Sequence, residues 1–226
     1  LKKINFQLAP GQTLGILGKI GSGKSTLLDL LARLYDPSSG SIELDGHDLK
    51  HFKLERLRSW IGYVPQNAFL FSETIADNIR FGNKDASEEE VIQAAKNAVV
   101  HENIVNFAEG YKTLLGERGI TLSGGQIQRV AIARALIKNP KILLLDDCLS
   151  AVDTDTEELI LRNLKGICAD KTTLIVSHRI SSIKHADLIL VLENGEIIQQ
   201  GKHRELALKA GYYKDLNEKQ QSQRSK

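Results

Sequence analysis

Nine residues constrain this chain more than any others: Gly18-Lys19-Ile20-Gly21-Ser22-Gly23-Lys24-Ser25-Thr26, which follow the pattern G-x-x-x-x-G-K-[ST]. Such a loop holds phosphate only between a strand and a helix, because its curled backbone N–H groups and the helix N-terminus must face the same anion. Both flanks are present. Leu14-Gly15-Ile16-Leu17 reads as a buried strand, and Leu27, Leu28, Leu30 and Leu31 carry an apolar helix away from the loop. In that setting Lys24 is expected to hold the β- and γ-phosphates and the Ser25 hydroxyl a magnesium ion. The bland alternative is an ordinary glycine turn ahead of a helix.

The rest of the chain alternates strand and helix patterns. Ile4, Phe6 and Leu8 alternate with Asn5 and Gln7, the period of a half-buried strand, before the turn at Pro10-Gly11. After the loop helix come a turn at Asp36-Pro37-Ser38-Ser39-Gly40, a strand from Ser41 to Leu44 closed by Asp45-Gly46, and a short helix from Leu54 to Ser59. A further strand from Ile61 to Val64 ends at Pro65-Gln66. From about Ile75 to about Ala135 the pattern is helical, with Ser87-Glu88-Glu89-Glu90 as a capping box, which suggests an inserted subdomain. Ile142-Leu143-Leu144-Leu145 is a continuous apolar run, as expected of a parallel strand covered on both faces, and Thr172 to Val176 is the next, with helical residues Thr156 to Ile167 between them. Leu188 to Leu192 and Glu196 to Gln199, joined at Asn194-Gly195, read as a closing hairpin. Helical segments from Arg204 lead into a polar tail, Glu218 to Lys226, expected to be frayed or disordered.

Composition narrows the function. At 226 residues, 42% hydrophobic and 26% charged, the chain is expected to be one compact unit with a buried core. A net charge of +2 is too small to suggest a nucleic-acid partner. No apolar run is long enough to cross a bilayer, so this segment is expected to reach a membrane only through a partner. Cys148 and Cys168 lack metal-ligand spacing and read as small core thiols in a reducing compartment. The chain contains no methionine, and Leu1-Lys2-Lys3-Ile4 reads as the middle of a strand region, so a piece of something longer is expected.

Ligands of open parallel sheets lie beyond the carboxyl ends of the strands, and four polar features fall there: the glycine loop, Gln66, Asp146-Asp147 and His178. Asp146, after four aliphatic residues, is placed to hold magnesium opposite Ser25, although a helix N-cap uses the same residue. On its own Gln66 reads as a surface glutamine and His178 as a structural histidine. At strand ends beside a phosphate loop, Gln66 is a candidate to ligate the metal or orient attacking water, and His178 to reach a γ-phosphate. Leu122-Ser123-Gly124-Gly125-Gln126 opens a strong helix through Val130, Ala131, Ile132, Ala133 and Ala135, a second helix N-terminus suited to an anion. Two such cradles about a hundred residues apart, with one metal carboxylate, make sense if each nucleotide is clamped between two chains.

Taken together, these motifs resemble the nucleotide-binding domain of ATP-binding cassette (ABC) transporters, over essentially the whole chain. Leu122-Ser123-Gly124-Gly125-Gln126 matches the signature that separates this family from other phosphate-loop proteins. The resemblance implies an α/β, RecA-like P-loop NTPase fold: a mainly parallel sheet core with antiparallel strands, over about 1–82 and 136–226, and an inserted α-helical subdomain over about 83–135. It implies Walker A at Gly18 to Thr26, the Q-loop at Gln66, Walker B at Ile142 to Asp146, the D-loop at Ser150-Ala151-Val152-Asp153 and the switch histidine at His178. ATP and Mg2+ are the implied ligands, with Ser25, Gln66 and Asp146 on the metal. Asp153 and Ser123 to Gln126 are implied to face nucleotide across a dimer. Gly116-Glu117-Arg118-Gly119 looks like the exporter X-loop, which touches the coupling helices of transmembrane domains. Val64-Pro65-Gln66-Asn67, Leu70-Phe71, Thr74-Ile75 and Asn78-Ile79 are also similar to exporter domains. The implied setting is the cytoplasmic face of the inner membrane, within an integral transporter.

Two departures from the family pattern matter. The aromatic residue that stacks on adenine, and an initial strand, would precede Leu1. Asp147 stands where active members carry glutamate as general base. Its side chain is one methylene shorter, and a displacement on the order of 1 Å costs about a hundredfold in rate. Slow hydrolysis at this site is therefore expected, with Asp147 on the degenerate side of a heterodimer and Ser123 to Gln126 completing the competent site of a homologous, non-identical partner. A homodimer with two slow sites, or a regulatory ATP-binding module, are the alternatives. A soluble ABC protein of DNA repair or translation would need coiled-coil insertions or tandem cassettes, which the sequence lacks.

Overall fold

The computed structural model describes residues 1–116 and 122–224. In chain order, β1 (Thr13–Gly18) runs through the glycine loop into α1 (Lys24–Leu31), followed by β2 (Glu43–Leu44), β3 (His47–Asp48), α2 (Leu54–Trp60) and β4 (Ile61–Val64). Four helices come next: α3 (Ile75–Arg80), α4 (Glu88–Asn97), α5 (His101–Val105) and α6 (Gly124–Leu136). The chain then alternates through β5 (Ile142–Asp146), α7 (Thr154–Ile167), β6 (Thr172–Val176), α8 (Ile180–Ile183), β7 (Leu188–Glu193) and β8 (Glu196–Gly201). It finishes with α9 (His203–Leu208) and α10 (Tyr212–Arg224).

Among the described residues β4-β5-β6-β1-β7-β8 form one sheet, parallel except for the β7–β8 pair. The strands explain their own burial. In β5, Leu143 and Leu145 enter one apolar cluster while Leu144 enters the other, and β6 and β7 alternate in the same way, so each strand feeds both faces. One face packs α1 and α2 through Leu27, Leu28 and Leu57. The opposite face packs α3, α4, α6, α7 and α8 in one continuous core that includes Val91, Ile132 and Ile160. The two hairpins have the turn chemistry their sequences require. Asp45 and Gly46 take φ of 51° and 77°, and Asn194 and Gly195 take 51° and 81°, positive at both central positions as a type I′ turn demands. Ser87 and Glu90 form the expected reciprocal cap on α4.

Two expectations are corrected. Residues 4, 6 and 8 alternate in burial and pack under the sheet, yet form no strand, because no strand among the described residues supplies a hydrogen-bonded ladder. The polar tail is helical as far as Arg224. Tyr213 is fully buried, with its hydroxyl 2.7 Å from His203 Nδ1 and its amide donating to Gln199 Oε1 at 3.0 Å, and Leu216 also packs on the core. These anchors hold a helix whose composition alone would not. The X-loop segment lies, from Glu117 onward, outside the described residues. No helix among the described residues is long and apolar enough to cross a membrane.

Candidate functional site

Strand order decides where the polar residues meet. β4, β5, β6 and β1 are neighbours and parallel, so the glycine loop, Gln66, Asp146-Asp147 and Ser177-His178 all leave the sheet at one edge. The glycine loop is closed tightly on itself. Gly18 sits at φ 154°, and a Cβ there would lie 2.3 Å from the Leu192 carbonyl oxygen, so no other residue fits. At Gly21, with φ 79°, a Cβ would meet nothing within 4 Å, which leaves an open cradle on the outer side of the loop. Lys24 folds back over this loop, donating to the carbonyls of Gly18 at 2.9 Å and Lys19 at 2.8 Å. Burial lowers its pKa, while Asp147 and Asp146 act in the other direction and favour the ammonium. The buried Ser22 hydroxyl has no hydrogen-bond partner among the described residues, whereas Ile20 at the loop tip is 92% exposed.

The two carboxylates differ in their surroundings. Burial pushes Asp146 above the usual carboxylate range, the Ser25 hydroxyl opposes this, and the nearby Asp147 charge adds to the rise. Burial also raises Asp147, against His178, whose Nε2 lies 3.9 Å from Asp147 Oδ2. Asp147 takes φ 44°, a left-handed conformation held by its amide donating to Val176 O at 3.0 Å and by the Ser150 hydroxyl donating to its carbonyl at 2.9 Å. Gln66 is exposed, beyond the end of β4. Asn78, fully buried, ties down the stretch that follows. It accepts from the Phe71 amide and donates to the carbonyls of Phe71 and Thr74, while Arg134 donates to the Asn78 side chain and to Phe69 O.

A raised carboxylate pKa has a sign for stability. The folded state holds the Asp146 proton more tightly than the unfolded chain, so the ionised group weakens the fold above its raised pKa, and that penalty fades as pH falls through it. Asp146→Asn is therefore expected to raise the melting temperature of the nucleotide-free protein near neutral pH by roughly 2–4 °C, with a smaller gain in acid. Circular dichroism melts at the two conditions measure this, and a lower melting temperature at neutral pH would contradict it.

Ser123 to Gln126 stand apart from this cluster. Ser123 caps α6, accepting from the Gln126 amide at 3.3 Å, and the Gln126 side chain accepts from the Ser123 amide at 2.9 Å. Ser123 and Gly124 are exposed, and Gly125 packs so closely on residue 151 that a Cβ would lie 2.9 Å from the Ala151 carbonyl oxygen. Gln128, one turn on, accepts from the Ala151 amide at 3.1 Å. Asp153 caps α7 by accepting from Thr156 N at 2.9 Å, a bond that holds its carboxyl below the usual range. Asp153 is thus engaged within its own chain in this structure.

Sequence reasoning missed the link between the segment 150–153 and His178. Arg179 donates to Val152 O at 3.2 Å and Ser150 O at 3.3 Å and pairs with the buried Glu157, which also accepts from Ser182. The only signal was an arginine next to His178, and arginine at that spacing has no periodic pattern to reveal what it grips.

Known proteins resemble this chain in sequence and in fold. Residues 1–150 match the family model described as ABC transporter. The chain is 49% identical over 222 residues to "ATP-binding cassette sub-family B member 6" of Xenopus tropicalis, covering 98% of this chain and 26% of that protein. It is 48% identical over 221 residues to "Probable multidrug resistance ABC transporter ATP-binding/permease protein YheI" of Bacillus subtilis (strain 168), covering 98% of this chain and 38% of that protein. The solved structure titled "Structure of a bacterial Atm1-family ABC exporter with ATP bound" superposes with a TM-score of 0.91 at 45% identity, over 95% of this chain and 38% of that one. The chain thus spans between about a quarter and two fifths of the length of these relatives. A P-loop sheet with a second capped glycine turn, matched along nearly its whole length by such proteins, belongs to the ABC transporter family as an exporter-type nucleotide-binding domain.

Proposed function

We propose that this chain is the ATP-hydrolysing motor of a membrane exporter, closing with a second such domain on two ATP molecules and passing that closure to membrane-spanning helices. The observation that carries the reading is the separation of two polar sets. Lys24, Asp146, Asp147 and His178 converge on one sheet edge, while Ser123 and Gly124 are exposed at a different helix N-terminus. The open side of Gly21 and the unpartnered Ser22 hydroxyl suit a phosphate chain, which supplies acceptors for loop N–H groups and for Lys24. Among the described residues no group of three His, Cys, Asp or Glu side chains is arranged to hold a metal by itself. Mg2+ held by Ser25, Asp146 and the exposed Gln66 would need phosphates and waters for the rest of its octahedron, as is usual for this ion. When bound it would neutralise charge on the transferred phosphoryl group.

On this reading the chain's own residues divide the work. Lys24 grips phosphate, Asp147 accepts a proton from water, His178 steadies the terminal phosphate, and Ser123 to Gln126 serve the nucleotide of the neighbouring subunit. Asp153 would help close that interface. The helices over about 83–135 act as a subdomain, and the exposed Leu114 within it and Phe69 and Phe81 ahead of it offer apolar surface to the membrane domains. The whole transporter would sit with this domain on the cytoplasmic face of the membrane. The short Asp147 favours a heterodimer in which this chain's own site turns over slowly. A regulatory ATP-binding module is the second reading, favoured by the same residue, and separate measurements of ATP affinity and turnover distinguish the two.

Ser123→Arg tests the division. ATP binding by this chain should stay within about twofold, whereas turnover by the assembled pair should fall more than roughly tenfold, the scale of losing an anchoring contact to a charged group. Equal loss in both assays would mean that Ser123 serves its own chain.

A further inference from the structure

We infer that Gln220, near the end of α10, is a positioning residue for His178. This rests on the proposed role of His178 at the terminal phosphate. His178 lies between β6 and the four-residue α8, a linker too short to fix its own backbone. On its N-terminal side, Ser177 donates its amide to Ile16 O at 3.2 Å, and its hydroxyl accepts from Arg179 N at 3.0 Å. On the C-terminal side the restraint comes from Gln220. Its Nε2 donates to His178 O at 2.8 Å and its Oε1 accepts from Ile180 N at 2.9 Å.

Both ends of this carboxamide are matched, and the match fixes its orientation, since the His178 carbonyl only accepts and the Ile180 amide only donates. Gln220 therefore replaces the side-chain N-cap that α8 lacks, satisfying one of its orphan amides and the carbonyl of the residue bearing the imidazole. The helix can hold this position because Tyr213 and Leu216 seat its earlier turns on the core, and Gln220 follows Leu216 by one turn on the same face. Arg179 grips the same linker from the other side, through Ser150 O, Val152 O and Glu157. The imidazole thus hangs from a peptide held by the segment before α7 and by the last helix at once. Without Gln220, His178 would keep its contacts at the site but lose the restraint that keeps Nε2 near Asp147.

The test uses the assembled transporter and reads the part of its ATP turnover that His178→Ala removes. Gln220→Ala should lower that part about fivefold, the scale of one net hydrogen bond, with nucleotide affinity within about twofold of wild type. Gln220→Glu keeps the acceptor for Ile180 but sets a carboxylate against the His178 carbonyl, and should lose as much. Combined with His178→Ala, neither change should lower turnover further, because residues acting through one another do not add. An equal loss in the His178→Ala background, a matching loss of affinity, or full turnover in Gln220→Glu would each overturn the inference. If His178→Ala leaves turnover unchanged, the role of His178 fails and the inference falls with it. If His178→Ala acts and Gln220→Ala does not, the inference alone fails.

Discussion

Lys24→Ala should weaken ATP binding by roughly a hundredfold to a thousandfold, the largest loss expected of any single change in this chain. Lys24 is 7% exposed and its ammonium is turned inward onto two loop carbonyls, so it is already placed where phosphate oxygens would replace them. Hydrogen bonds to a charged group contribute about 1.5–3 kcal/mol each, and two phosphates offer it at least two. Burial disfavours the charge on Lys24, and Asp146 and Asp147 offset that cost, so the alanine variant also removes a positive charge that both buried carboxylates feel. Equilibrium ATP titration, with circular dichroism to establish that the variant is folded, reads the effect. Unchanged affinity in a folded variant would contradict the assignment of the loop.

Asp147→Glu should raise hydrolysis at this chain's own site about tenfold to a hundredfold. The added methylene moves the carboxylate by on the order of 1 Å, a distance that matters because a general base acts only within hydrogen-bond reach of the water it deprotonates. The backbone at residue 147 is left-handed, which aspartate tolerates better than glutamate, so some of the gain will be offset by a small loss in thermal stability. Single-turnover hydrolysis by the assembled pair gives the rate. Rapid hydrolysis by the unmodified chain alone, abolished in Asp147→Ala, would show that the shorter side chain works and that this site is not degenerate.

The sequence was legible wherever chemistry is local. The glycine loop, the buried run ending at Asp146 and the Asn194-Gly195 turn each depend on neighbouring residues, and each folds as read. Strand order was not legible, because β1 pairs with β6 and β7, more than a hundred residues away, and nothing in the local pattern of β1 names those partners. Residues 4–8 show the limit of alternation, which reports half-burial and says nothing of a ladder. α10 shows the opposite limit. Its polar composition hides a helix seated on the core by Tyr213 and Leu216 and tied by Gln220 to residues 180 and 178, 40 and 42 positions away, beyond any window of sequence. The links of Gln128 and Arg179 to residues 150–152 escaped notice for the same reason.

The central claim is that the two glycine turns of this chain serve two different nucleotides. A structure of the ATP-loaded, assembled dimer tests it most directly. The account predicts Ser123 Oγ and the Gly125 amide within about 3 Å of phosphate oxygens held by the glycine loop of the opposite subunit, while Lys24 holds the other nucleotide. Ser123 and Gly125 facing open solvent, or reaching the nucleotide bound by their own chain's Lys24, would contradict it.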